Sequence, residues 1–252
     1  METILKIENL TKVFKKSGQP DFTAVDDVSF ELKKGEILGI VGESGSGKST
    51  IVKLITRLHD ATSGKIEFNG EDVTNVKGRA QREYYKHVQM VFQSPHDSFD
   101  PRRTLGVSVG ESLHNRGLSS KEVRERVEKL FDMCEIVPEM IKRYPHQVSG
   151  GQCQRAAIAR AIAIDPEVLI CDEATSALDV TIQKEIVALL KNLQKQTGMS
   201  ILFICHDIAL VQEMCDRMVV ICKGKIVESG TPDEVIKNPK EEYTKNLIAS
   251  VL

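Results

Sequence analysis

Ile37-Leu38-Gly39-Ile40-Val41 runs without a break into Gly42-Glu43-Ser44-Gly45-Ser46-Gly47-Lys48-Ser49, and Thr50 leads into a helix-like stretch that reaches Leu58. A short apolar strand, a glycine-rich turn and a helix in this order form one supersecondary unit. The turn has the spacing G-x-x-x-x-G-K-[ST], in the strand-to-helix context that such a loop requires. Glycine lets backbone N–H groups face an anion without Cβ obstruction, the helix N-terminus adds a favourable dipole, and Lys48 supplies a fixed positive charge. Residues 42–50 therefore read as a cradle for nucleotide phosphates, with Ser49 placed to ligate Mg2+.

Outward from this octet the texture changes twice. Upstream and just downstream, Ile7, then Val28, Phe30 and Leu32, then Ile66 and Phe68 alternate with period two and predict a small antiparallel β-layer. Between residues 94 and 150 the pattern turns helical, best seen where Val123, Val127, Leu130, Phe131 and Cys134 recur at spacings of three and four. From Glu167 strand and helix alternate again: VLIC (168–171), a helix carrying Ile182, Ile186, Leu189, Leu190 and Leu193 that stops at Gly198, ILFIC (201–205) and MVVIC (218–222). Such alternation predicts a parallel sheet covered by helices. Lys223-Gly224 predicts a hairpin turn, and Thr231-Pro232-Asp233-Glu234 the capped start of a closing helix. The expected organisation is one α/β domain over 1–252: a nucleotide-binding core with the β-layer in 1–93 and 153–230, a helical subdomain in 94–152, and a C-terminal helix in 231–252.

Bulk composition removes several classes of function. The 34 basic and 36 acidic residues nearly cancel, and no block of like charge marks a nucleic-acid stripe. The six cysteines lack paired C-x2-C spacing and three sit in apolar strand-like runs, so they read as small core residues in a reducing compartment. METILKIENL carries charges where a leader peptide needs an apolar stretch, and no run of about 18 apolar residues is present to span a bilayer.

A second chemical element is Asp172-Glu173, two carboxylates at the end of the apolar run VLIC. At a strand end near bound phosphates, the first can reach a Mg2+ shell and the second can polarise an attacking water. A third is Val148-Ser149-Gly150-Gly151-Gln152 followed by CQRAAIARAI: Ser149 is a good N-cap, and Gly150 and Gly151 bare the N–H groups of a helix start, which makes a second anion site. Taken with the octet, this stretch resembles the signature of the ABC ATPase family. That resemblance covers essentially the whole chain and implies a P-loop NTPase core that binds ATP and Mg2+. It implies two ATP molecules sandwiched between two cassettes, each signature (Ser149 to Gln152) facing the γ-phosphate held by the other subunit. Within it, Gln93 resembles the Q-loop residue that links Mg2+ to the membrane partner, Ser176-Ala177-Leu178-Asp179 the D-loop, and His206 the switch histidine. Glu173 takes the position of the base, and Asp172, Ser49 and Gln93 those of the Mg2+ ligands. Phe14 falls where the family has an aromatic residue stacked on adenine, with plain core as its other reading.

Finer texture resembles the ATPases of oligopeptide, dipeptide and nickel importers: FQSPHDSFDPR (92–102), Arg143-Tyr144-Pro145-His146, Asn238-Pro239 and Tyr243-Thr244. The resemblance implies a peripheral subunit on the cytoplasmic face of the membrane. Its implied partners are a second ABC ATPase, two permeases and an external substrate-binding protein, with no nucleic acid. Val148, Cys205, Phe14 and Ala174 depart from the commoner Leu, Ser or Thr, Tyr and Pro, and none removes a catalytic group. The short stretch after Tyr243 favours a nickel or metal-chelate cargo over a peptide. The competing functions are a soluble ABC ATPase acting on nucleic acid or ribosomes, against which stand the single cassette and the lack of heptads, and a P-loop kinase, which leaves Gly150-Gly151 unexplained. In the stretch 94–103, Phe99 and Arg102 are expected to lie exposed in the permease contact.

Overall fold

The computed structural model describes residues 2–15, 18, 20–176 and 178–249. The period-two segments form two long strands, β1 (Thr3–Phe14) and β2 (Phe22–Lys33). The apolar pentad is β3 (Ile37–Val41), and the octet leads into α1 (Lys48–Ile55). Next come β4 (Ser63–Phe68), β5 (Glu71–Asp72), α2 (Gly78–His87) and β6 (Val88–Val91). The helical stretch contains α3 (Leu105–Asn115), α4 (Ser120–Met133) and α5 (Gly150–Ile162). Alternation resumes with β7 (Val168–Asp172), α6 (Val180–Thr197), β8 (Ser200–Cys205), α7 (Ile208–Met214), β9 (Arg217–Cys222) and β10 (Lys225–Gly230). The last described helices are α8 (Pro232–Lys237) and α9 (Glu242–Ala249). These elements divide into two compact units, Met1–Tyr85 with Met199–Leu252, and Lys86–Gly198.

The first unit holds the antiparallel layer, in the order β2-β1-β4-β5, and the strands β10-β9-β3-β8. Ile7 lies opposite both Phe30 and Ile66, so the alternation read from sequence is one buried face. All five residues of β3 are buried, and it pairs in parallel with β8 on one edge and β9 on the other. A strand covered on both faces reads as a continuous apolar run rather than an alternating one. The β9–β10 hairpin turns at Lys223-Gly224 as expected. Helix α1 stops three residues short of Leu58: Arg57 takes a left-handed φ of 57°, and its buried guanidinium pairs with Asp60 at 2.7 Å.

In the second unit β6 and β7 pair in parallel, from Val88 opposite Val168 to Val91 opposite Cys171. Helix α6 buries Ile186, Leu189, Leu190 and Leu193, is capped by the Asp179 side chain, and ends at Gly198 with φ 72°. Helix α4 buries the stripe of Val123, Val127, Leu130 and Phe131 behind a capping box of Ser119 and Glu122. Five of the six cysteines of the whole chain are buried and all are free. Burial pushes the Cys134 and Cys171 thiols up to about 12, which removes their thiolate reactivity.

Phe99 corrects the expectation for the 94–103 stretch. It is 4% exposed, its ring lies under the guanidinium of Arg160 with 4.4 Å between them, and Arg160 also donates to the Ser98 carbonyl. The loop is therefore pinned to α5 by an aromatic anchor, which local polarity hid. Arg102 stays in solvent, paired with Asp100, whose carboxyl it draws down to about 2. Phe99→Ala is expected to lower stability by about 3 kcal/mol, as for other buried aromatic truncations, and Arg102→Ala by less than about 0.5 kcal/mol. Urea denaturation of the two variants checks this contrast.

Candidate functional site

The first unit carries the phosphate loop. Register places Val41 opposite Cys205 on β8 and opposite Val220 on β9, so the loop, His206 and the hairpin turn leave their strands at the same edge. Residues 42–47 turn sharply, with Gly42, Gly45 and Gly47 at positive φ. At Gly47, with φ 110°, a Cβ would meet the Ala24 carbonyl oxygen at 2.4 Å, whereas at Gly45, with φ 80°, it would meet nothing within 4 Å. Lys48 is 4% exposed, and its Nζ donates to the carbonyls of Gly42 at 2.7 Å and Glu43 at 2.8 Å. Ser46 Oγ is buried without a hydrogen-bond partner among the described residues. An orphaned hydroxyl, a buried cation and N–H groups at the start of α1 form a cradle that fits a nucleotide's phosphates. Ser49 and Thr50 lie half-buried in the first turn of α1.

His206 is exposed between β8 and the N-cap of α7, where Asp207 accepts from Ala209 N at 2.8 Å and Leu210 N at 3.4 Å. Phe14 ends β1 opposite Phe22. It is half-buried, with an edge contact to His59 at 5.8 Å and the Lys12 ammonium 5.0 Å from its ring centre. It is therefore not part of the deep core.

The second unit repeats the strand-end arrangement. Val91 lies opposite Cys171, so Gln93 and Glu173 leave β6 and β7 at one edge and meet there. Gln93 Nε2 donates to Glu173 Oε2 at 2.9 Å and reaches Ser176 Oγ at 3.3 Å, while Ser176 donates to the Glu173 carbonyl at 3.0 Å. Glu173 adopts φ 49°, in the left-handed region that non-glycine residues rarely visit. Asp172 is 8% exposed at the end of β7. Its carboxylate and the amide oxygen of Gln93 in the same unit are hard oxygen donors of the kind that suit Mg2+.

In the same unit Ser149 caps α5, accepting from Gln152 N at 3.3 Å, while the Gln152 side chain accepts from Ser149 N at 3.0 Å. Gly150 faces the turn before α6 and Gly151 faces α6 itself, where added Cβ atoms would lie 3.4 Å from Leu178 and 2.8 Å from Ile182. Asp179, the cap of α6, accepts from Ile182 N at 3.0 Å, so the signature and the D-loop lie side by side. Ala177 of that loop lies outside the described residues.

A chain whose apolar strand enters a lysine-bearing phosphate loop, with an acidic strand end and a serine-capped Gly-Gly helix start elsewhere, has the parts of a nucleotide-driven ATPase of the ABC type. The ABC transporter profile matches residues 25–176, and the chain belongs to that family. It is 46% identical over 230 residues to the oligopeptide transport ATP-binding protein OppF of Salmonella typhimurium, covering 90% of this chain and 69% of the relative. To the Bacillus subtilis protein of the same name it is 45% identical over 253 residues, with 99% and 83% covered. Its fold matches a dimeric ATP-binding cassette in a post-hydrolysis state bound to ADP and Pi, with TM-score 0.83, 29% identity, and 91% and 99% covered.

Sequence reading missed Tyr243 as a neighbour of the loop; its hydroxyl accepts from Glu43 N at 2.9 Å across 200 residues of chain. Only its place in a family-like stretch singled it out. Substitutions in the loop should separate space from conformation. Gly45→Ala is expected to cost about 1 kcal/mol from the positive φ alone, and Gly47→Ala more than about 2 kcal/mol because a carbonyl also blocks the methyl. Thermal melting of both variants gives the comparison.

Proposed function

We propose that this chain is the ATP-hydrolysing motor of an ABC importer that takes up oligopeptides or dipeptides. The observation that carries the reading is the cradle of Lys48, Ser46 and the positive-φ glycines at the end of β3, in a chain 46% identical to an oligopeptide transport ATP-binding protein. The names of the relatives favour peptide over the nickel or metal-chelate cargo expected from the short stretch after Tyr243. They also favour transport over a soluble ATPase acting on nucleic acid or ribosomes.

In this reading Lys48 and the N–H groups of residues 45–50 bind the phosphates in the ground state. Phe14, half-buried and flanked by Lys12, offers a face for adenine. Ser49, Asp172 and Gln93 would hold Mg2+, which would neutralise charge on the phosphate oxygens. Glu173 orients the attacking water and accepts its proton, and the amide of Gln93 holds the carboxylate that does so. His206 contacts the γ-phosphate from the end of β8. Ser149 to Gln152, with Asp179 beside them, face the nucleotide of a second cassette, so that ATP closes a head-to-tail pair.

The whole chain, 1–252, acts as one ABC ATPase domain in which 94–152 is the helical subdomain. Its place is that of a peripheral subunit on the cytoplasmic face, as the transport ATP-binding relatives suggest; among the described residues no helix is long and apolar enough to cross a membrane. Its partners are a second ABC ATPase, two integral permeases and an extracytoplasmic binding protein. Arg102, in solvent on the loop that Phe99 anchors, is the residue kept for the permease contact.

Two substitutions test the division of labour. Glu173→Gln is expected to retain ATP binding and slow hydrolysis about 10²-fold or more, the scale of a lost positioned base. Lys48→Ala is expected to weaken ATP binding itself. Equilibrium nucleotide titration beside steady-state hydrolysis by the assembled transporter reads both, and Glu173→Gln turnover within about threefold of wild type would remove Glu173 from the chemistry.

A further inference from the structure

Helix α9 starts from a firm anchor. Glu228 on β10 is buried and accepts from the N–H of Lys240 at 2.9 Å and of Glu241 at 3.3 Å, immediately before the helix begins. Burial alone would push this carboxyl group up, but the Lys240 N–H, the Thr244 side chain, the Glu241 N–H and the Lys240 charge together hold it below its ordinary range. Further along α9, Thr244, Leu247 and Ile248 are buried. The helix is thus fixed at its start and along one face, and it carries Tyr243 to the phosphate loop.

What Tyr243 touches there is the backbone of one residue, Glu43, held on both sides of its Cα. The Glu43 N–H donates to the tyrosine hydroxyl at 2.9 Å, while the Glu43 carbonyl accepts from Lys48 Nζ at 2.8 Å and from Ser46 N at 3.2 Å. Glu43, Ser44 and Gly45 form the exposed crest of the loop. Tyr243 and Asn246 face this crest across a cavity of about 480 Å³ that Cys222 and Lys223 also line.

We infer that Tyr243 is a positioning residue for the phosphate loop, its hydroxyl holding the Glu43 N–H so that the first arm of the loop keeps the shape that receives nucleotide. The inference deepens the ATPase reading above and rests on it. A loop already held in its binding shape loses less conformational freedom when ligand arrives. Without the hydroxyl, that ordering falls on the binding step. The net worth of a neutral hydrogen bond corresponds to about two- to tenfold in an equilibrium constant. Tyr243 touches none of the groups assigned to water activation, so turnover of the loaded site is left as it was.

The test compares wild type, Tyr243→Phe and Lys48→Ala, with ATP titrated onto the purified subunit and hydrolysis measured in the assembled transporter. Tyr243→Phe removes one oxygen and keeps the ring. It is expected to raise Kd and KM for ATP about two- to tenfold, with kcat within about 1.5-fold of wild type and a nucleotide-free melting temperature within about 2 °C. A lower melting temperature with unchanged ATP affinity would assign the hydroxyl to fold stability and overturn the inference, as would unchanged affinity and unchanged melting together. Wild type that binds no ATP, or binds it no better than Lys48→Ala, would overturn the ATPase reading instead.

Discussion

The molecule depends on the double pairing of β3. Its five residues are buried on both faces and hydrogen-bonded along both edges, and a slip of one residue would turn every side chain to the opposite face and move the start of the loop. The register therefore fixes where Gly42 begins relative to the ends of β8 and β9. The hairpin turn is then close enough to take part: Gly224 N donates to the Ser46 carbonyl at 2.8 Å, and the Gly224 carbonyl accepts from Asp26 N at 2.9 Å. A parallel pair does the same for the acidic cluster, where the ends of β6 and β7 bring Gln93 to Glu173. In both units the chemistry sits on the turns that follow the strands, an arrangement common to open α/β sheets.

The two clusters manage charge differently. Lys48 is nearly out of solvent and is satisfied by main-chain carbonyls of its own loop, so its burial does not leave an unpaired cation. Glu173 is half-exposed and held by side chains, the Gln93 amide directly and Ser176 through the backbone. Main-chain acceptors move only with the loop, whereas side-chain partners rearrange by rotamer changes. The lysine is suited to a fixed electrostatic task and the glutamate to one that changes with the state of its neighbours.

Much of this was legible in the sequence because it is local. The strand-loop-helix of residues 37–55, the stripe of α4 and the stop of α6 at Gly198 each depend on residues within a few positions of one another, and periodicity and capping report them directly. Gln93 and Glu173 could be named from their motifs, but their contact depends on a parallel register between strands nearly 80 residues apart. Phe99 was misread because a run containing two prolines and two arginines looks like solvent-facing chain. The partner that buries it, Arg160, lies on a helix about 60 residues later. Tyr243 is the extreme case, since nothing in the sequence near either end of its 200-residue contact announces the other. The left-handed backbone of Glu173 was also beyond local reading.

The chain order of the first unit has a consequence for synthesis. Its strands come from both ends of the sequence, with Lys86–Gly198 contributing a separate compact unit in between. Both neighbours of β3 are made more than 150 residues after it. As the chain leaves the ribosome, the apolar strand β3 emerges early with both edges open. A slow, long-range closure of this kind keeps an aggregation-prone strand waiting for its partners. Ordered growth from the N-terminus thus leaves the nucleotide loop among the last features to take shape, and demand for a chaperone should be greatest while β3 waits for β8 and β9.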